Sequence, residues 1–167
     1  LELRTKSSNI KALESIEPTD NLYVTFSLSP AKTAKSIDRK ASPIKHRLLA
    51  IKKLHQKGFN IGLHLDPIIL SDNWKSLYEE LFSDLSEHIN LSEVAFFSIG
   101  VVRFTKDVFQ TFSKNYPNSS INTASFVKSF DNKMRHPRPV RQNALRYIKE
   151  SLVYFGANES LIYECME

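Results

Sequence analysis

Apolar and polar residues alternate along several short stretches of the chain, and between these stretches apolar residues recur at helical spacing. NLYVTFSLSP (Asn21–Pro30) sends Val24, Phe26 and Leu28 to one side and Thr25, Ser27 and Ser29 to the other, as a strand does. IGLHLDP (Ile61–Pro67) repeats the split, with Ile61, Leu63 and Leu65 against Gly62, His64 and Asp66. LELRTK (Leu1–Lys6) sets Glu2, Arg4 and Lys6 on one side. EVAFFSIGVV (Glu93–Val102) is almost continuously apolar, the pattern of a strand covered on both faces. LIYEC is a short last strand.

Helical spacing fills the intervals. IKALESI follows the capping cluster SSN and stops near Pro18. A helix is expected over Pro43–Lys57, with Leu48, Ile51 and Leu54 as its stripe and Gly58 as its stop. NWKSLYEELFSDLSEHI (Asn73–Ile89) aligns Trp74, Leu77, Leu81 and Leu85. RFTKDVFQTFSKNYP reads as helical up to Pro117, and PVRQNALRYIKESLVYF as a final helix. AKTAKSIDRKAS is a basic, Ser/Lys-rich stretch, and Ser119–Pro139 has no regular pattern.

Strand and helix thus alternate strictly, which predicts an α/β fold with a parallel sheet and its helices outside. The second face of successive strands is polar, and Arg103 stands at the end of the fourth. Barrel strands turn one face into a lumen and carry their sites at the C-terminal ends. A closed eight-stranded barrel takes about 250 residues, so a chain of 167 residues is expected to form one domain that is a portion of a barrel. It opens inside a strand pattern without a methionine, and an N-terminal portion is expected to precede it.

Composition adds a few limits. Hydrophobic residues make up 41% and charged residues 25%, values of a globular domain, and no apolar run nears the length of a membrane span. One cysteine, Cys165, excludes an internal disulfide and fits a reducing cytoplasm. The net charge of +5 is compatible with a polyanionic partner without requiring one. The four glycines never form GxGxxG, which argues against a dinucleotide or phosphate loop.

KKLHQKGFNIGLHLDPII and NWKSLYEELFSDL, then FFSIGVVRFTKDVFQTFSKNYPNSSI, resemble the C-terminal half of the spore photoproduct lyases and related radical S-adenosylmethionine proteins. RFTK and KNYP are the most specific runs, because helix or strand patterning dictates neither. The likeness extends from LRTK to IYEC. It implies the C-terminal portion of a partial TIM-like barrel whose complete form holds S-adenosylmethionine and a [4Fe–4S] cluster. It further implies repair of a thymine dimer in DNA through hydrogen abstraction by a 5′-deoxyadenosyl radical. The cluster motif CxxxCxxC is absent, as is the cysteine the lyases place soon after it. Cys165 alone cannot replace three thiolates, so the N-terminal half is the implied partner and this segment alone is expected to bind no cluster and to be catalytically silent.

The resemblance also assigns residues. Lys6, in LRTK, matches a lysine that holds the carboxylate of S-adenosylmethionine; the alternative is a barrel lysine paired with Glu2 or another acid. Ser27, in VTFSLSP, matches a serine that contacts the same cofactor; the alternative is a buried hydroxyl bonded to backbone. Alternation puts both at one cavity. His64 and Asp66 are catalytic candidates, serving substrate polarity or a proton relay, against a hydrogen-bonded core histidine and a turn-capping aspartate. KSFDNKMRHPRPVR (Lys128–Arg141) corresponds to a hairpin that reaches the lesion with an arginine and an aromatic at its tip. Arg135 matches the arginine, and His136 replaces the aromatic. Arg138 and Arg141 suit DNA phosphates, and the alternative is a solvated basic loop. Pro137 and Pro139 limit ladder pairing, so a shorter hairpin, or none, is expected.

Two other readings compete. His64-x-Asp66 at a strand end suits a metal-dependent hydrolase, although such sites need three or four ligands. The basic loop alone suits a non-catalytic nucleic-acid-binding module.

Overall fold

The computed structural model describes residues 1–119, 121 and 125–165. Part of the segment expected to be irregular, residues 120 and 122–124, and the terminal residues 166–167 lie outside the described residues.

Five strands make one parallel sheet: β1 (Glu2–Thr5), β2 (Tyr23–Ser27), β3 (Asn60–Ile68), β4 (Phe96–Val101) and β8 (Ile162–Glu164), side by side in that order. The helices are α1 (Lys11–Glu14), α2 (Ala31–Ile37), α3 (Ile44–Gln56), α4 (Trp74–Ser86), α5 (Lys106–Asn115) and α6 (Arg138–Tyr154). The alternation predicted from the sequence is therefore present. A second, antiparallel sheet joins β5 (Arg103–Thr105), β7 (Lys133–Arg135) and β6 (Val127–Lys128).

The apolar face of the parallel sheet is the core. Val24, Phe26, Ile61, Leu63, Leu65, Phe97 and Ile99 are all buried, and α3 packs against β3 while α6 packs against β4. In α3 the buried stripe is the expected one, Leu48, Ile51 and Leu54, and Gly58 beyond it adopts the left-handed φ of +97° that ends the helix. In α4 the buried face is Tyr78, Leu81, Phe82 and Leu85, which keeps Leu81 and Leu85 of the expected stripe and adds two packed aromatic rings, while Trp74 and Leu77 are half-buried.

Three local expectations change. The basic stretch after β2 contains a helix, α2, whose buried residues are only Thr33 and Ala34. The helix that follows the SSN cluster, α1, is a single turn. Arg103–Thr105 is a strand and not the start of α5, because it pairs with Lys133–Arg135. The hairpin takes the shorter of its two expected forms: β6 and β7 pair across a turn at Ser129–Asn132, where Asn132 has a φ of +61°. Pro137 and Pro139 do not interrupt it, because both follow the last paired residue and Pro139 lies in the first turn of α6.

On the polar face the strands form rungs. One rung is Arg4, Thr25, Gly62 and Phe96; the next is Ser27, His64, Ser98 and Tyr163. Gly62 lets the Phe96 ring fold across it: a Cβ at Gly62 would stand 2.6 Å from that ring. The ring is itself held by Tyr23, His64 and Tyr163, with centroids 6.0, 5.7 and 5.7 Å away. Gly62→Ala is therefore expected to destabilise the fold by about 1–3 kcal/mol, an overpacking cost. Adding Phe96→Leu should return most of that loss in urea unfolding. A Gly62→Ala midpoint equal to that of the parent would show that the ring moves aside freely.

Candidate functional site

Asp66 is the centre of the polar face. It sits near the C-terminal end of β3, beside a cis peptide bond to Pro67, where the register against β4 shifts before Ile68 pairs with Val101. Its Oδ2 accepts hydrogen bonds from Ser98 Oγ at 2.9 Å and Cys165 Sγ at 3.1 Å, and lies 3.3 Å from His64 Nδ1. Its Oδ1 pairs with the Arg4 guanidinium, whose Nε also donates to Ser27 Oγ at 3.1 Å. His64 Nε2 lies 2.8 Å from Glu2 Oε1, which also accepts from Thr25 Oγ1 at 2.8 Å. Strand alternation brings all these groups from β1, β2, β3, β4 and β8 onto one face. His64, Ser98 and Thr25 are buried among them.

Burial alone would raise the Asp66 carboxyl. Hydrogen bonds from His64, Cys165 and Ser98, with the Arg4 charge, outweigh that and hold it at about 2. Glu2 is lowered as well, chiefly by the Thr25 hydroxyl, against a desolvation cost. Burial pushes the Cys165 thiol up, and the Asp66 charge adds to that rise. Asp66 is thus a fixed charge, His64 bridges it to Glu2, and Cys165 is held as a thiol. The face opens into a cavity of about 500 Å³ that also takes in Arg103 and Tyr163.

Lys6 and Ser27 share a second, smaller cavity of about 180 Å³ at the C-terminal ends of β1 and β2. The Lys6 ammonium donates to Asp38 Oδ1 at 2.7 Å, so its acid is Asp38 and not Glu2. Arg47, buried on α3, braces this corner. Its Nε donates to the Ser42 carbonyl at 2.7 Å and its Nη1 to the Ser27 carbonyl at 2.8 Å, while Nη2 lies 3.9 Å from Asp38 Oδ2.

At the hairpin the three arginines separate. Arg138, at the start of α6, is exposed. Arg135 is buried and donates to the Asp131 carboxylate, so it stands at the end of β7 rather than at the tip. Arg141 is buried and donates through Nη1 to the His136 carbonyl at 2.8 Å, which withdraws it from a phosphate-facing surface. His136 is packed against Phe126 with ring centroids 4.4 Å apart, and burial, helped by the Arg141 charge, lowers its basicity. The aromatic at the tip is Phe130, 96% exposed.

Ser98 and Cys165 belong to the site although sequence reasoning passed over them. Parity could have found both. Ser98 occupies the polar slot of FFSIG, and Cys165 shares a face with Tyr163. Asp38 and Arg47 left no such signal, because a loop and a helix bring them to the strand ends. Among the described residues, no set of three or more His, Cys, Asp or Glu side chains is arranged to hold a metal ion, so His64 and Asp66 lack the further ligands a metal hydrolase needs. No helix among them is long and apolar enough to cross a membrane.

Comparison with known proteins agrees with this architecture. The spore photoproduct lyase of Clostridium acetobutylicum is 26% identical over 117 residues, covering 70% of this chain and 34% of that protein. The spore photoproduct lyase of Bacillus subtilis (strain 168) is 24% identical over 123 residues, covering 72% of this chain and 36% of its own length. A solved point variant of spore photoproduct lyase superposes with a TM-score of 0.85 at 20% identity, covering 99% of this chain and 51% of that one. Spore photoproduct lyase complexed with dinucleoside spore photoproduct gives 0.82 at 18% identity, with 99% and 51% covered. At these identities the solved structures speak for the fold. The chain spans about a third of the length of the curated relatives it matches and about half that of the solved ones. The model of the spore photoproduct lyase family matches residues 1–151, and the chain belongs to that family.

Proposed function

We propose that the chain is the C-terminal portion of a radical S-adenosylmethionine enzyme that repairs a thymine-dimer lesion in DNA, with the cluster-binding part of the barrel upstream and the whole in the cytoplasm. The observation that carries the reading is the shared cavity of Lys6 and Ser27 at the strand ends, in a family with a solved member bearing AdoMet and dinucleoside spore photoproduct.

The residues present do not fit an iron–sulfur cluster. Cys165 is the single cysteine, and it donates to Asp66. We assign the cluster ligands to the upstream portion and derive no step through them. The amino-acid end of S-adenosylmethionine does fit. It is zwitterionic, and its carboxylate and ammonium can replace the ion pair that Lys6 and Asp38 make with each other, with the Ser27 hydroxyl lining the same cavity. The chemistry the cofactor supplies when bound is hydrogen abstraction by a 5′-deoxyadenosyl radical.

The chain's own residues orient and insulate. Asp66, held near a pKa of about 2, is too weak a base to take a proton at neutral pH, so it anchors Arg4 and His64. His64 is the group on this face that relays a proton or hydrogen-bonds the lesion. Phe130 and the hairpin reach the damaged bases, Arg138 contacts a DNA phosphate, and Arg135 and Arg141 hold the hairpin in shape for that contact.

Lys6→Ala in the complete protein is expected to raise the dissociation constant for S-adenosylmethionine about tenfold or more, the scale of one lost charge-assisted hydrogen bond. Calorimetric titration measures it, and an unchanged constant would remove Lys6 from the cofactor site. The reaction itself is tested by anaerobic turnover of dinucleoside spore photoproduct with added reductant. No repair by a cluster-loaded complete protein would refute the reading.

A further inference from the structure

Basic residues are unevenly spread. Residues 31–57 hold nine of the chain's 23 lysines and arginines but one of its 18 acids, Asp38, leaving the rest of the chain with a slight acidic excess. In the fold this segment is α2, α3 and the loop between them. That loop forms one wall of a groove of about 880 Å³. Arg4 and Lys6 from β1 and its end, Arg39 and Lys40 from that loop, and Phe112 and Tyr116 at the end of α5 line it.

Three features point to its occupant. The single acid is engaged, since Asp38 faces Lys6 and Arg47. Among the described residues, neither Arg39 nor Lys40 has a carboxylate within ion-pair distance, and both are exposed. The groove also offers an aromatic face: Tyr116 is 60% exposed, and its ring lies 5.4 Å from Phe112, which stacks in turn on Phe104 at 5.1 Å. A groove lined by two unneutralised cations and a braced ring suits a strand of alternating phosphates and bases. An acidic protein segment would use the cations and leave the ring idle. The groove also meets the candidate site directly, because Lys6 lines both it and the Ser27 cavity, and Arg4 lines both it and the Asp66 cavity.

We propose that this groove is a nucleic-acid track: one strand runs along Arg39 and Lys40 by its phosphates, lays a base on Tyr116, and leads toward the polar face of the sheet. The assignment rests on the proposed function only in taking nucleic acid as the substrate. It moves the main electrostatic contact away from the hairpin, where two of the three arginines are buried.

The test is fluorescence anisotropy of the full chain with an undamaged labelled oligothymidylate about a dozen nucleotides long, within the site sizes of single-strand grooves, across a potassium chloride series. Arg39→Ala with Lys40→Ala is expected to flatten the plot of log affinity against log salt by about 1.4, at about 0.7 per lost single-strand phosphate contact. Tyr116→Ala should weaken binding roughly 5- to 150-fold with the slope unchanged, and Tyr116→Phe should restore it. All these side chains are exposed, and circular dichroism checks that the variants keep the parental fold. An unchanged slope in the double variant, or no binding by the parent at low salt, overturns the track. Equal competition by polyglutamate overturns nucleic acid as the occupant in favour of an acidic protein segment. A groove that fails in a protein that still repairs spore photoproduct fails alone. Loss of slope in a complete protein that repairs nothing removes the lesion reading and leaves the groove.

Discussion

Arg47→Met is expected to destabilise the chain by about 3 kcal/mol, the scale of removing a buried charged donor from partners that remain buried. The side chain is 1% exposed, and its guanidinium serves the Ser42 carbonyl, the Ser27 carbonyl and Asp38 at once. Methionine fills similar volume but donates nothing, so two carbonyls lose a donor at the junction of β2, α2 and α3. Arg47→Lys keeps the charge without the planar fork and should recover only part of the loss. Urea unfolding reads both. A methionine variant within about 1 kcal/mol of the parent, the worth of one ordinary hydrogen bond, would mean that water replaces the guanidinium there. Because Arg47 also holds the backbone of Ser27 and lies beside Asp38, the same variant should weaken the S-adenosylmethionine binding proposed for that corner even where the protein remains folded.

Asp66→Asn is expected to cost about 2 kcal/mol at neutral pH, with a diagnostic pH dependence. The carboxyl lies at about 2 in the fold against an ordinary 3.8, so the folded state favours its charged form. That contribution is complete above the ordinary value and is lost as pH falls through the folded one. At about 1.36 kcal/mol per pKa unit the difference comes to roughly 2 kcal/mol. The gap between parent and variant should therefore hold from neutral pH down to about pH 4 and close toward about pH 2. Urea unfolding at several pH values measures it. A gap that stays constant through that range would mean that Asp66 contributes by shape and not by charge.

The polar face was legible because strand periodicity is strict. Once Ile61, Leu63 and Leu65 are taken as core, His64 and Asp66 must face away from it together, and Thr25 and Ser27 must do the same on the neighbouring strand. Periodicity did not show the hairpin, which only the family resemblance suggested. β6 has two residues and β7 three, too few to show a period, and their partner Arg103–Thr105 runs into the helical spacing of α5 without a break. α2 was hidden because it buries only Thr33 and Ala34, so no apolar stripe marks it. In α4 the predicted Leu81 and Leu85 are buried, while Tyr78 and Phe82 take the buried side in place of the half-buried Trp74 and Leu77. The arginines of the basic loop illustrate a further limit. Composition counts cations, and only three-dimensional pairing decides that Arg135 and Arg141 are spent on Asp131 and the His136 carbonyl.

The order of strands in the parallel sheet has a kinetic consequence. β1, β2, β3 and β4 pair in the order in which the chain is made, each with the strand before it, so each step closes a loop of modest length and the entropy of closure stays small. β8 is different, because the small antiparallel sheet, α5 and α6 all intervene between it and β4. Cys165 reaches Asp66 across 99 residues of sequence. The Arg4, His64 and Ser98 part of the polar face can therefore assemble while the chain is still emerging, and its thiol is made only after α6.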